Sequence, residues 1–284
     1  MRIALLTPAP DEPRFAAIVV QWFDRVAAAL RLADIEAEAR TWIAPGDLSG
    51  FDGISPLLAW SYFQAPDGWA ALLDRLAGLG RPIANPVDTL RWNTRKTYLA
   101  ELAAAGAPVT PTLFVDQLTP ELIAEAHARF GPELVAKPQM SAGAHETVRL
   151  TLGGDAAGAP SGAAMLQPFL PAVAEEGELS LFYFDRRFSH AVAKRATGGD
   201  FRVQFQFGGQ YEAITPPPGA VAAADAVLAV APIPLVYARV DLLRGPGGGF
   251  WLVELEAIEP DLYLEHAPDG GAAFAAAVWR ALEE

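Results

Sequence analysis

The sequence contains no cysteine, which excludes disulfide frameworks, thiol nucleophiles and cysteine-ligated metal sites together. Lysine is almost as scarce. Of 21 basic residues only Lys96, Lys137 and Lys194 are lysines, and the rest are arginines. Codon composition alone can empty a surface of lysine and leave three exposed survivors. The other reading is that lysine persists where a compact, flexible ammonium is needed and the guanidinium fork does not fit. Positive charge is short overall: 34 acidic residues against 21 basic give a net charge of −13. A diffuse basic surface for duplex nucleic acid is therefore not expected.

Long hydrophobic runs are missing too. The longest apolar stretch, residues 220–240, holds Asp225, Pro232 and Pro234, so it reads as helix, turn and strand and not as a membrane span. The apolar run at residues 1–6 soon meets Pro8 and Pro10 and lacks the core of a signal peptide. The expectation is a soluble cytoplasmic protein that binds neither membrane nor nucleic acid. Several motifs are absent as well. Without G-x-x-x-x-G-K-[ST], G-x-G-x-x-G after a strand, G-x-S-x-G or H-E-x-x-H, the P-loop, dinucleotide, serine-hydrolase and zincin readings lose support.

What is present is a chain of 284 residues, 52% hydrophobic and 19% charged, enough for one large or two modest domains with a real core. Strand–helix alternation over residues 1–85 suggests a small α/β layer: a strand at 3–7, a helix at 15–32, strands at 35–43 and 53–59, then a helix at 69–79. Asn85-Pro86 opens a new unit. A single helix over 87–105 is expected, stopped by Gly106 and Pro108. Strands follow at 112–115, 134–137 and 164–167, with a helix at 120–129. From residue 179 onward antiparallel strands dominate, and a helix over 272–282 closes the chain.

The strongest local pattern is a hairpin near the end. In the strand from Tyr237, a period of two puts Arg239 and Asp241 on one face. After the turn Gly245-Pro-Gly-Gly-Gly249, Glu254 and Glu256 share a face, with Trp251, Val253 and Leu255 on the other. Alternation alone would give a solvated face. Neighbouring carboxylates repel unless a cation sits among them, however, and a hard divalent ion held by carboxylates and phosphate oxygens is the magnesium pattern.

Three weaker patterns accompany it. Lys137 ends a strand before the small-residue loop Ser141-Ala142-Gly143-Ala144-His145, an arrangement that suits phosphate oxygens. The apolar segment Gln167-Pro168-Phe169-Leu170, followed by Glu175, Glu176 and Glu178, could receive an adenine ring and a ribose. His190, Val192 and Lys194 share a strand face; His190 reads as a satisfied structural histidine, and Lys194 is aimed into whatever the sheet lines.

Taken in order from about Asn85 to Pro260, these pieces resemble the ATP-grasp superfamily, and most its glutathione-synthetase branch. They are Lys96 before "AGAPVTPT", then "LVAKP", "QPFLPAVAEEGELS", "SHAVAK", "GDFRVQFQFGG", "YARVD" and "VELEAIEP". The resemblance implies an N-terminal Rossmann-like α/β domain over 1–85. An ATP-grasp domain over 86–284 would follow, built of two α+β subdomains: a small one at about 108–166 and an antiparallel-sheet one at about 167–284. It implies that Lys96 and Lys137 bind ATP phosphates under the loop Ser141, Ala142 and Gly143. Gln167, Pro168, Phe169 and Leu170 would form the adenine hinge, and Glu178 would bind ribose. Lys194 and Arg202 would line the nucleotide and acceptor region, and Arg239 would stabilise the transferring phosphoryl group. Asp241, Glu254 and Glu256 would bind Mg²⁺, with Mn²⁺ able to substitute; relatives carry Glu-x-Asn where this chain has Glu254-Leu255-Glu256.

The implied activity is ATP-dependent carboxylate–amine ligation of a small amino-acid-like substrate through an acyl phosphate. "RWNTRKTYLAELAAAGAPVTPT" and "ELEAIEPDLYL" are most similar to the subgroup containing the cycloserine-pathway cyclo-ligase, which closes a ring on O-ureido-D-serine. A kinase without ligation and a regulatory module without turnover are the alternatives. Specificity is expected from residues 11–14 and 60–63, Arg202 and Glu259. A homodimer is common in the branch, though no residue here demands one.

Overall fold

The computed structural model describes residues 1–9, 12 and 15–283. Its first layer is a parallel three-stranded sheet in the order β2-β1-β3, from β1 (Arg2–Thr7), β2 (Glu36–Thr41) and β3 (Gly53–Ser55). β1 is apolar for nearly its whole length and buried from Ile3 onward, as a strand covered on both faces must be. Helices α1 (Val19–Leu30) and α2 (Pro66–Gly78) pack on it, burying Leu30 with Ile3 and Leu5 on one side, and Trp69 and Leu73 with Ala4 and Leu6 on the other.

The expected helix over 87–105 is two helices, α3 (Val87–Thr94) and α4 (Tyr98–Ala104). Arg95 between them is extended, at φ −114° and ψ 134°. Tertiary bonds override a sequence of ordinary helix formers here. The Lys96 backbone N–H donates to Gln139 O at 2.7 Å, and the Thr94 hydroxyl donates back to Leu90 O at 2.7 Å while accepting from Trp69 Nε1 at 2.9 Å. The break turns Lys96 inward, leaving it only 5% exposed.

A four-stranded antiparallel sheet, order β4-β7-β5-β6, follows: β4 (Leu113–Val115), β5 (Glu133–Pro138), β6 (Val148–Thr151) and β7 (Ala164–Pro168). Helix α5 (Pro120–Phe130) covers it. After the short α6 (Ala172–Glu175) comes a five-stranded antiparallel sheet in the order β10-β9-β8-β11-β12. Its strands are β8 (Glu178–Phe184), β9 (Arg187–Arg195), β10 (Gln210–Ala213), β11 (Tyr237–Arg244) and β12 (Phe250–Glu256). One face carries Leu179, Leu181, Ala193, Val240 and Leu242 and is buried under α7 (Ala220–Val230) and α4. The other divides along its length. Phe182, Phe184 and Tyr237 dock on the N-terminal layer with α8 (Ala272–Glu283), whereas Glu178, Lys194, Arg239 and Asp241 line a cavity.

Asn85 ties these parts together. It is fully buried, and its φ of 59° is the left-handed conformation that asparagine tolerates better than most residues. Its Nδ2 donates to Tyr237 O and Ala257 O, both at 2.8 Å, and its Oδ1 accepts from Val236 N–H at 2.7 Å. Asn85→Ala should therefore destabilise the fold by about 3 kcal/mol, since it strands three buried backbone groups. A urea titration checks this, and an unchanged midpoint would contradict it.

Candidate active site

Between the four- and five-stranded sheets, and bounded by the N-terminal layer, lies a cavity of about 630 Å³. That volume is within the usual range for a cofactor or small-ligand site. All three lysines of the chain line it, so they are not the survivors of an emptied surface. Lys137 ends β5 and Lys194 ends β9, while Lys96 arrives from the helix break.

Strand pairing fixes the register that alternation left open. Arg239 lies opposite Glu256 and Asp241 opposite Glu254, and Ser180 of β8 stands on the other side of Asp241. The expected face of Arg239, Asp241, Glu254 and Glu256 therefore exists. The expected opposite face needs correction beyond Leu255. The pairing skips Val253, so that Leu242 faces Leu252. This bulge re-phases the strand and returns Val253 and Trp251 to the cavity side, where they join Leu243, Leu170, Val203 and Phe169 in an apolar cluster.

Charges alternate through the site. Lys194 Nζ bridges Glu178 Oε1 at 2.6 Å and Asp241 Oδ2 at 3.2 Å. Arg239 grips both oxygens of Asp241, at 3.0 Å from Nε and 2.9 Å from Nη2, and also pairs with Glu256. The Ser180 hydroxyl donates to Asp241 Oδ1 at 2.5 Å. Lys96 Nζ lies 3.1 Å from Glu254 Oε1 and donates to Ser141 O at 2.5 Å. Lys137 has no carboxylate within ion-pair distance among the described residues.

Burial works against these ions, and their neighbours decide the outcome. Burial would raise the Asp241 carboxyl, but Arg239 and Lys194 hold it down at about 2. Glu256 is pushed up to about 7 by burial and by Glu254 and Asp241, against the pull of Arg239. Burial drives Lys137 below the ordinary lysine value, raises Glu178 and lifts Glu259 well above the usual carboxylate value. The three carboxylates expected to bind Mg²⁺ thus share one wall, each engaged by a cationic side chain. Among the described residues no three His, Asp or Glu side chains are grouped as a ready metal site.

The remaining expected residues also reach the cavity. Ser141, Ala142 and Gly143 belong to a loop in which Gly143, Ala144 and Glu146 all have positive φ. Gln206 Nε2 donates to Gly143 O at 2.6 Å, and the His145 ring lies 5.2 Å from that of Phe63. Gln167, Pro168, Phe169 and Leu170 form the opposite rim, although the Gln167 side chain turns away to donate to Thr112 Oγ1 at 2.9 Å. Gly177 must be glycine: its φ is +89°, and a Cβ there would sit 2.6 Å from Lys194 O. Arg202 pairs with Asp200 at 2.7 Å and stacks 3.7 Å over Phe207. His190 is structural, hydrogen-bonded to Leu262 O at 3.0 Å and stacked on Phe182.

Of the segments expected to set specificity, Asp11, Pro13 and Arg14 lie outside the described residues, whereas Trp60, Ser61, Phe63 and Glu259 line the cavity. Sequence reading missed Ser180, which the period of two from Glu178 would have found. It also missed Trp22, Tyr211, Asp261 and Tyr263, which line the cavity as well.

Residues 3–85 match the family model described as D-cycloserine synthetase DcsG, N-terminal domain. The cycloserine biosynthesis protein DcsG of Streptomyces lavendulae is 33% identical over 273 residues, covering 88% of this chain and 90% of that protein. A crystal structure of D-cycloserine synthetase DcsG matches with a TM-score of 0.84 at 29% identity, over 99% of this chain and 100% of the other. The ATP-grasp ligase PsnB, solved with a variant precursor, Mg and ADP, shares the fold at a TM-score of 0.65 and 18% identity, over 98% of each chain. With a cavity held between two α+β sheets and a relative of this identity over nearly its whole length, the chain belongs to the DcsG family of ATP-grasp ligases.

Proposed function

We propose that this ligase uses Mg²⁺ and ATP to convert the carboxylate of a small amino-acid-like substrate into an acyl phosphate, which an amine of the same molecule then captures to close a ring. The observation that carries this reading is the cavity's lining, whose apolar, cationic and aromatic–acidic parts suit adenine, phosphates and substrate respectively. Phe169, Leu170, Val203, Leu243 and Val253 offer an apolar slot to the adenine, with Glu178 beside it for ribose. Lys96, Lys137, Arg239 and the backbone of Ser141, Ala142 and Gly143 face the phosphates. Lys194 and Arg202 border the substrate. Elsewhere in the lining Trp22 meets Trp60 and Tyr211 meets Tyr263, and Asp261 and Glu259 add carboxyls, an aromatic and acidic set that suits a substrate ammonium group.

The donor set fits magnesium. It is all oxygen, and its carboxylates are crowded enough that Glu254 and Asp241 help push Glu256 up to about 7, a strain that a hard cation among them would relieve. Asp241, Glu254 and Glu256 would hold the ion, which supplies neutralisation of phosphate charge. With these acids holding the ion, their present partners Lys96, Lys194 and Arg239 would be left for phosphate oxygens. The substrate carboxylate then attacks the γ-phosphorus, the bond to the β-bridging oxygen breaks and ADP leaves. The amine nitrogen attacks the acyl carbon, phosphate departs, and the nitrogen loses its proton. No side-chain nucleophile is required, in keeping with the lack of cysteine. Positioning and electrostatics carry the reaction. Its demand for ATP fits a cytoplasmic enzyme, and no helix among the described residues is long and apolar enough to cross a membrane.

The test is incubation with Mg·ATP and a panel of L- and D-amino acids, O-ureido-D-serine among them, followed by chromatography of nucleotides and products. ADP, phosphate and a cyclised amide are expected together. AMP, or a stable phosphorylated product with no amine requirement, would overturn the reading.

A further inference from the structure

β12 carries Glu254 and Glu256 at the edge of the five-stranded sheet, with β11 on one side and no strand of the sheet on the other. Because β11 pairs with residues 254 and 256, the backbone groups of Leu255 point outward. Unpaired and buried, they would be costly. Side chains take the place of the missing strand. The Tyr98 hydroxyl accepts from Leu255 N–H at 3.0 Å and donates to Leu255 O at 2.8 Å. Asn93 Nδ2 donates to the same oxygen at 2.8 Å, and Asn93 Oδ1 accepts from Ala257 N–H at 2.8 Å. Farther along, Leu252 is bonded by Pro108 O and Thr110 N–H. Tyr98 is 2% exposed and Asn93 7%, so water does not compete for these bonds.

We infer that Asn93 and Tyr98 are positioning residues for the ligase reaction, clamping β12 so that Glu254 and Glu256 face the metal and phosphates at a fixed depth. The inference rests on the proposed roles of those two carboxylates. Its particular strength is that the two clamp residues flank Lys96. One six-residue stretch, Asn93 to Tyr98, running across the break between helices therefore presents a phosphate-facing lysine and grips the strand whose Glu254 lies 3.1 Å from it. Lys96 and the carboxylates are set against each other by a common piece of backbone, and loosening the clamp lets the acids move while the lysine stays.

Tyr98→Phe keeps the ring and deletes both Leu255 bonds; Asn93→Leu keeps the volume and deletes both of its own. Mn²⁺ affinity of the ADP-bound protein, read from the paramagnetic resonance signal of free Mn²⁺, should weaken about 10-fold or more in each, the scale seen when groups behind a metal ligand are removed. Affinity for ADP without metal, from calorimetry, should stay within about twofold. Leu228→Ala, in the core of α7 and making none of β12's edge bonds, controls for simple loss of stability: its melting temperature should fall with Mn²⁺ affinity unchanged. If Tyr98→Phe behaves like Leu228→Ala, the clamp is structural only and the inference fails. Glu254→Gln separates the two levels. If it weakens Mn²⁺ binding while the clamp variants do not, the ligand assignment stands and the positioning role falls. If Glu254→Gln also leaves Mn²⁺ binding untouched, both fall.

Discussion

Asp241→Asn should lower ligase turnover about 10³-fold, the scale of losing one preorganised charge at a reacting phosphate, without unfolding the protein. Asp241 is the hub of the site. It is 2% exposed, and its two oxygens receive Ser180, Lys194 and Arg239. Asparagine fills the same space and keeps one acceptor oxygen, but it lacks the charge that would hold Mg²⁺. The fold should survive because each cation keeps a second partner: Lys194 has Glu178 at 2.6 Å and Arg239 has Glu256. ADP release under saturating Mg·ATP measures the loss, and circular dichroism with a thermal melt verifies the fold. Turnover within about tenfold of the parent would remove Asp241 from the reaction.

Lys137→Ala should weaken nucleotide binding about 100-fold, a loss of roughly 2.7 kcal/mol, and reduce ADP formation accordingly. Lys137 differs from the other site cations in having no carboxylate to release among the described residues, so its ammonium is available to an incoming phosphate at once. Its removal breaks no ion pair and should leave the melting temperature nearly unchanged.

A pH dependence follows from the same residue. Burial, with the charge of Lys96 adding to it, drives Lys137 below the usual lysine value against the pull of Glu254 and Glu178. Phosphate binding favours the charged form. Affinity should therefore be full below the depressed pKa of the free protein and decline as pH rises through it, earlier than for a solvated lysine near about 10.4. Lys137→Arg should flatten that decline, because guanidinium does not deprotonate in this range. Equal alkaline losses in parent and arginine variant would contradict the assignment.

Much of the site was legible because strand periodicity projects spacing directly onto a face. Arg239 with Asp241 and Glu254 with Glu256 are two residues apart, His190 with Lys194 four, and each pair does share a side of its strand. The scarcity of lysine pointed to three positions that converge across the middle of the fold. Local pattern failed where distant backbone competed. Nothing between residues 87 and 105 announces an extended Arg95, since the bonds that break the helix come from Gln139 and Trp69. The pairing of Lys96 with Glu254, 158 residues away, was equally hidden, as was the use of Asn85, Asn93 and Tyr98 as substitutes for a strand. Those three read locally as a turn former and two helix residues.

The skipped residue at Val253 gives β12 two characters in seven positions. Beyond it the cavity-facing side chains are the acids Glu254 and Glu256, whereas Val253 itself adds an isopropyl group to the lining and Trp251 packs against the same apolar cluster. Regular pairing of this sequence would set Trp251 and Val253 on the face opposite the two glutamates. With a single extra residue, one strand turns both its acids and its apolar pair to the same side. Deleting Val253 should abolish the bulge yet leave Trp251, Glu254 and Glu256 on one face of an evenly alternating strand, so only the isopropyl group is lost. Keeping Val253 but pairing the strand regularly would instead turn either Trp251 and Val253 or the two glutamates into the core.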